Sequence, residues 1–141
     1  MSNATAAKGT LIKVGDAASP EIFTTIAEVT NIGGPELEQE AIDVSHHGLA
    51  WKEFVGGLKD GGEISIEANY LPADATHDAS TGILADLAAG TLRNFELVFT
   101  DTASTTWSFT ALITRFAVGA PVDNKLSVNI TLKLSGEPTL A

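Results

Sequence analysis

The sequence has no cysteine, one methionine, one tyrosine and two tryptophans among its 141 residues. Without cysteine there is no disulfide, no thiolate metal ligand and no thiol nucleophile. Basic side chains are scarce as well: eight Lys and Arg stand against eighteen Asp and Glu, for a formal net charge of −10. Such a surface repels nucleic acid unless a basic patch overrides the average, and the eight are scattered from Lys8 to Lys133. No apolar run approaches the ~18 residues that mark a membrane span. Met1–Lys8 lacks the apolar stretch of a secretory signal, so no membrane contact and no export by the standard secretory route are expected. What remains suits one folded domain. Charged residues make up 18%, too few for a charge-extended chain, and 44% are hydrophobic, enough for a core.

Chemical motifs are missing too. There is no G-x-S-x-G nucleophile turn, no G-x-x-x-x-G-K-[ST] and no G-x-G-x-x-G. The histidines are His46, His47 and His77. The first two are adjacent at a strand end, where neighbouring side chains point apart, and all three are expected in exposed loops. Among the many acids nothing marks a catalytic pair. No enzyme, no cofactor and no metal are expected.

The pattern that is present has period two, which marks half-buried strands. Leu126, Val128, Ile130, Leu132 and Leu134 alternate with Ser127, Asn129, Thr131 and Lys133. Ile64, Ile66, Ala68 and Tyr70 form one inward face, and Phe95, Leu97 and Phe99 another. Between Thr105 and Val118, Trp107, Phe109, Ala111 and Ile113 share one parity; Phe116 and Val118 take the other, which predicts a bulge or bend between them. Thr10–Val14 and Ile22–Ile32 are expected as strands flanking a turn at 15–20, and Glu36–Ser45 alternates weakly.

One segment has helical spacing. Ala79, Ile83 and Leu87 recur at i, i+4 and i+8, Asp74 is placed to cap the N-terminus, Asp78 suits the first turns, and Gly90 can end the helix left-handed. The predicted layout is mainly β (α+β): a two-sheet β-sandwich over residues 10–135, with a loop at 46–62, a flanking helix at 74–90, and flexible arms at 1–9 and 136–141.

Two surface features have more than one reading. Glu36, Glu38 and Glu40 share parity and project from one face of an extended strand. They form either an ordinary solvated face or an electronegative stripe that keeps a polyanion from sticking. Trp51, Phe54, Val55 and Leu58 fall at i, i+3, i+4 and i+7, interrupted by glycines. They form either a short amphipathic turn folded onto its own core or an apolar loop covered by a neighbouring subunit.

Four stretches, in order along the chain, resemble the tail tube (major tail) proteins of long non-contractile-tailed, lambda-like bacteriophages. Trp51–Ile64 (WKEFVGGLKDGGEI) is similar to that family's W-[KR]-E-F-x-x-G-L-x-D-x-G-E segment. Tyr70–His77 (YLPADATH) resembles its Y-x-P-x-D-x-T-H lead into the helix, and Trp107–Ala111 its W-x-F-x-A strand. Ala120–Leu126 with Gly136–Leu140 resembles its A-P-x-D-[DN]-K-L and G-x-P-T-L ending. The chain departs from the pattern at His46–Leu49, where small and hydroxyl residues are usual. The first forty-odd residues match only in general style.

The resemblance implies a tail-tube fold whose subunits form hexameric rings that stack into a hollow tube. A tape-measure protein fills the channel first, double-stranded DNA passes through it later, and tail-tip and tail-terminator proteins close the ends. The place of action is the virion, in the phage tail, after synthesis in the bacterial host cytoplasm. On this reading Trp51, Phe54, Val55 and Leu58 are subunit contacts, and Glu36, Glu38 and Glu40 are candidate channel-facing acids. The alternatives are a monomeric β-sandwich that binds a receptor or carbohydrate on a virion, and the inner-tube protein of a contractile tail or secretion device.

Overall fold

An alternating strand buries one face only if other strands curl over it, and the long alternating segments here do this for one another. The computed structural model describes residues 4–16, 20–78, 80 and 82–140. Nine strands and one helix lie among the described residues. In chain order they are β1 (Leu11–Gly15), β2 (Phe23–Thr25), β3 (Val29–Gly33), β4 (Glu38–Asp43), β5 (Phe54–Asp60), β6 (Glu63–Asn69), α1 (Ile83–Ala89), β7 (Leu92–Val98), β8 (Thr106–Gly119) and β9 (Ser127–Leu140).

Seven strands form one sheet in the order β2-β1-β7-β8-β9-β6-β3, and β4 and β5 form a second. All the pairings are antiparallel. The large sheet folds over on itself: β3, at its edge, lines one groove together with residues 97–101 and the N-terminal segment 5–10. Two sheets with one flanking helix, as expected, make up the architecture.

The inward faces follow the alternation. Ile64 and Ile66 of β6, Phe95 and Leu97 of β7, Ala111 and Ile113 of β8, and Val128, Ile130 and Leu132 of β9 are all buried. Phe95 stacks on Phe109 across the β7–β8 pair with ring centroids 5.8 Å apart. The parity change in β8 is a register shift between Ile113 and Arg115 against β9. Beyond it Phe116 packs against the core and meets Tyr70 edge-on at 5.8 Å.

Several boundaries differ from the sequence expectation. Ile22–Ile32 is two short strands, because Ile26 drops into the core with its N–H on the Ile12 carbonyl, and Glu28 turns at φ 49°. Leu126 precedes β9 and is 45% exposed. The arm expected at 136–141 continues β9 as far as Leu140, which pairs with Trp107. The helix begins at Ile83, not at residue 74. Asp74 accepts hydrogen bonds from the Thr76 N–H and hydroxyl, and Asp78 accepts from the Ser80 and Gly82 N–H groups, so side chains hold the stretch in turns. Ala79 lies outside the described residues. Gly90 ends the helix at φ 67°, as predicted. A 2.9 Å bond from Arg93 Nε to Asp86 ties α1 to β7.

The smaller sheet is an extension of the larger. β3 pairs with β6, and their outer continuations, β4 and β5, pair with each other. The two legs cross closely at glycines. Gly34 (φ 104°) leaves room for a Cβ only 2.5 Å from the Glu63 carbonyl oxygen, and Gly62 (φ 74°) only 2.1 Å from that of Glu36. Only glycine fits such positions without strain. Lys133 Nζ lies 3.1 Å from both Asp60 carboxylate oxygens, and the Gly62 N–H donates to Asp60 Oδ1 at 2.8 Å.

Two predictions follow from these contacts. Ile66→Ala, at a fully buried position, should cost about 2–5 kcal/mol of unfolding free energy in denaturant titrations. The Asp60 carboxyl is held below the ordinary carboxylate range, first by the Gly62 N–H and then by Lys133. A lowered folded-state pKa stabilises above the unfolded value and is lost as pH falls through the folded one. Amide protection at the base of the smaller sheet should therefore hold from about pH 7 to about pH 5 and fall below the ordinary carboxylate range. In Asp60→Asn that acid-dependent drop should be absent.

Candidate functional site

Turns of small polar residues end strands where the backbone can satisfy itself, and the β4–β5 hairpin is closed in this way. The Val44 N–H donates to the Glu53 carbonyl, the Glu53 N–H to Ser45 Oγ at 2.8 Å, and the Ser45 N–H to Asp43 Oδ1. Within the tip the Gly48 N–H donates to His46 Nδ1. The hairpin is thus ordered by its own bonds. Every residue of its two strands except Gly57 is exposed.

That exposure is what makes it a site. Trp51 is 86% exposed, Leu58 85%, Phe54 56% and Val55 49%. The reading in which this stretch folds back onto its own core is overturned: residues 54–60 are a strand paired with β4, and among the described residues none buries Phe54, Val55 or Leu58. The helical spacing is overturned with it. Val55 pairs with Ile42 and Phe54 with Asp43, so Phe54 and Val55 point to opposite faces. Gly56 and Gly57 disfavour a helix here, and β4 offers cross-strand partners instead. The hairpin is apolar on both faces.

Ile42 and Val44, 43% and 42% exposed, belong to the same patch; neither is among the contact residues expected from the sequence, and the weak alternation of 36–45 is their only signal there. The three acids are also on the hairpin and exposed. Glu36 lies at the crossing against Gly62, Glu38 pairs opposite Asp60, and Glu40 lies beside Gly57 and Ile42. They run outward along one leg, in step with the apolar residues.

Below the hairpin a cleft is lined by Leu37, Gly61, Trp107, Pro138 and Leu140, with Glu38, Asp60 and Glu137 on its rim. No nucleophile faces a base there. Carboxyls lowered elsewhere have local causes: the Ser45 hydroxyl then its N–H for Asp43, and likewise Thr76 for Asp74 and Thr105 for Asp101. These are turn-closing aspartates. His77, expected in an exposed loop, is fully buried. It stacks near Tyr70 and accepts the Leu71 N–H at Nδ1, which closes the turn before α1. Among the described residues no helix is long and apolar enough to cross a membrane.

Comparison with known proteins gives this exposed hairpin a context. The chain is similar in structure to a subunit in the tail of an empty GTA particle refined helically with C6 symmetry (TM-score 0.77, 20% identity, 98% of this chain and 99% of that one). It is also similar to a chain of the six-fold symmetrised anti-feeding prophage baseplate (TM-score 0.73, 13% identity, 100% and 97% covered). A third is a chain from the sheath/tube terminator of the extracellular contractile injection system PVC (TM-score 0.72, 13% identity, 100% and 99% covered). At these identities the likeness is one of fold. A comparison with curated protein sequences found no match. The sequence profile of the lambda phage tail tube proteins matches residues 7–141, from the N-terminal segment to the end of β9. With nearly the whole length matched, the chain belongs to the lambda phage tail tube protein family.

Proposed function

We propose that the chain forms hexameric rings that stack into the hollow tube of a long, non-contractile phage tail, and that the β4–β5 hairpin is a contact between copies. The observation that carries this reading is Trp51 at 86% and Leu58 at 85% exposure on an internally hydrogen-bonded hairpin. Fully burying one such side chain contributes about 1.5–3 kcal/mol. An ordered apolar hairpin left in water gains that energy only on a partner. The C6 and six-fold symmetry of the similar particles supports a ring of six. The inner tube of a contractile device, which shares the fold, is the nearest alternative; the lambda-type family match favours the long tail.

In this proposal a tape-measure protein occupies the channel before DNA does, and tail-tip and tail-terminator proteins meet the two ends. Double-stranded DNA then passes without binding. A subunit charge of −10, repeated round the ring, repels the phosphates within the roughly 8 Å screening length. The role is structural and not enzymatic. Glu36, Glu38 and Glu40 are the acids proposed to face the channel.

Two experiments test these assignments. Trp51→Ala with Phe54→Ala should leave a subunit with unchanged thermal stability but abolish tubes in electron micrographs of concentrated protein. Tubes as abundant as those of the unaltered chain would remove these side chains from the contact. Changing Glu36, Glu38 and Glu40 together to Gln should leave tube length unchanged and slow DNA ejection from reconstituted particles. Ejection at the unaltered rate would remove the three from the channel wall.

A further inference from the structure

Of the eight aspartates only Asp60 precedes a glycine, and no asparagine does. That pairing is chemically vulnerable. A backbone nitrogen can attack the carboxyl of the preceding side chain and close a cyclic imide, and a glycine there, with no Cβ, leaves the attack unhindered. The turn-closing Asp43, Asp74 and Asp101 precede Val44, Ala75 and Thr102, whose side chains crowd the nitrogen.

The fold leaves no room for a bulkier residue at this turn. A Cβ at Gly61 would lie 2.9 Å from Leu134 Cβ, and one at Gly62 would lie 2.1 Å from the Glu36 carbonyl oxygen. The crossing at the hairpin's root thus imposes the vulnerable pair. Asp60 is exposed, so water reaches it.

The chemistry balances with water as the only co-reactant. The Gly61 nitrogen bonds to Asp60 Cγ, the carboxyl OH departs with the amide proton as water, and an imide spans the two residues. Water then reopens the ring. Addition at Cγ restores aspartate; addition at the Asp60 main-chain carbonyl carbon leaves the chain running through Cγ, an isoaspartyl link one carbon longer.

Two contacts oppose the first step. The Gly62 N–H donates to Oδ1 at 2.8 Å, and Lys133 Nζ lies 3.1 Å from both carboxylate oxygens. The carboxyl must leave both and take up a proton before its oxygen can depart as water. Each contact favours the ionised form, which does not react, the Gly62 N–H more strongly than Lys133. Of the two, Lys133 is the one that a side-chain change removes.

We propose that Asp60–Gly61 is a site of spontaneous backbone isomerisation, and that Lys133 is the side chain that holds it in check. The product matters because of where it forms. An extra backbone carbon enters a crossing with no free space and shifts Asp60 from its place opposite Glu38. The damage falls on the root of the hairpin, whatever the hairpin touches.

The test ages the full chain at neutral pH and physiological temperature, digests it, and measures isoaspartate at Asp60 by electron-transfer fragmentation. Lys133→Met should accumulate it about two- to fivefold faster than the unaltered chain, the worth of an exposed ion pair. Methionine keeps the stem and loses the charge, so a packing role alone would leave the rate unchanged. Lys133→Arg, which keeps the charge, should isomerise at the unaltered rate. Equal rates in Lys133→Met and the unaltered chain, or Lys133→Arg as fast as Lys133→Met, would overturn the role of Lys133. No isoaspartate at Asp60 in any of the three would overturn the site.

Discussion

The fold depends on β9 being paired on both sides at once. Its residues Ser127–Lys133 bond to β6 on one edge, while the whole strand to Leu140 bonds to β8 on the other. Val128, Ile130, Leu132 and Leu134 thereby enter the core between two fixed neighbours. A slip of one residue would turn all four to solvent, so the hydrophobic term itself fixes the register. With β9 set, β6 is set, and through β6 the place of β3 and the point at which β4 and β5 leave the sheet. Lys133 makes the coupling concrete: it sits in β9 opposite Glu63 and reaches Asp60 at the root of the hairpin.

Much of this was legible from period two. The inward faces of β6, β7, β8 and β9 match their alternation, and the parity change at Phe116 marked the β8 bulge, because a bulge is the cheapest way to move an apolar face across a strand. The helix start was not legible, since Ala and Leu spacing speaks for a helix while the hydrogen bonds of Asp74 and Asp78 speak against one, and composition does not rank them. His77 was misplaced for a related reason: a histidine in a polar stretch looks exposed until the turn that uses its Nδ1 is seen. The apolar hairpin was noticed, but Trp51, Phe54, Val55 and Leu58 fit a helical stripe as well as an uncovered strand, and only the pairing with β4 decides.

Exposure on both faces of the hairpin has an energetic meaning. In a half-buried strand polar residues face water, as Ser65 and Glu67 do in β6 between buried Ile64, Ile66 and Ala68. The hairpin breaks that rule: Val55 and Ile42 occupy one face while Phe54 occupies the other. A ribbon apolar on two sides suits insertion between surfaces better than lying on one. Its acids are spaced along the same leg, so the association it favours is also opposed by like charge unless the receiving surface supplies the right partner. Such like-charge repulsion discourages indiscriminate sticking.

The same balance bears on how a tube could form only when required. One hairpin gains a few kcal/mol at most from covering Trp51 or Leu58, and association itself costs at least as much in lost freedom. A single pair of subunits therefore gains little. Hairpins presented together by the proposed ring would act in parallel, since one contact made holds the others at high effective concentration. A contact too weak for two subunits becomes stable for two rings. On the proposed contact, the modest size of the patch and the net charge of −10 both disfavour association of single subunits and favour growth on a ring already formed.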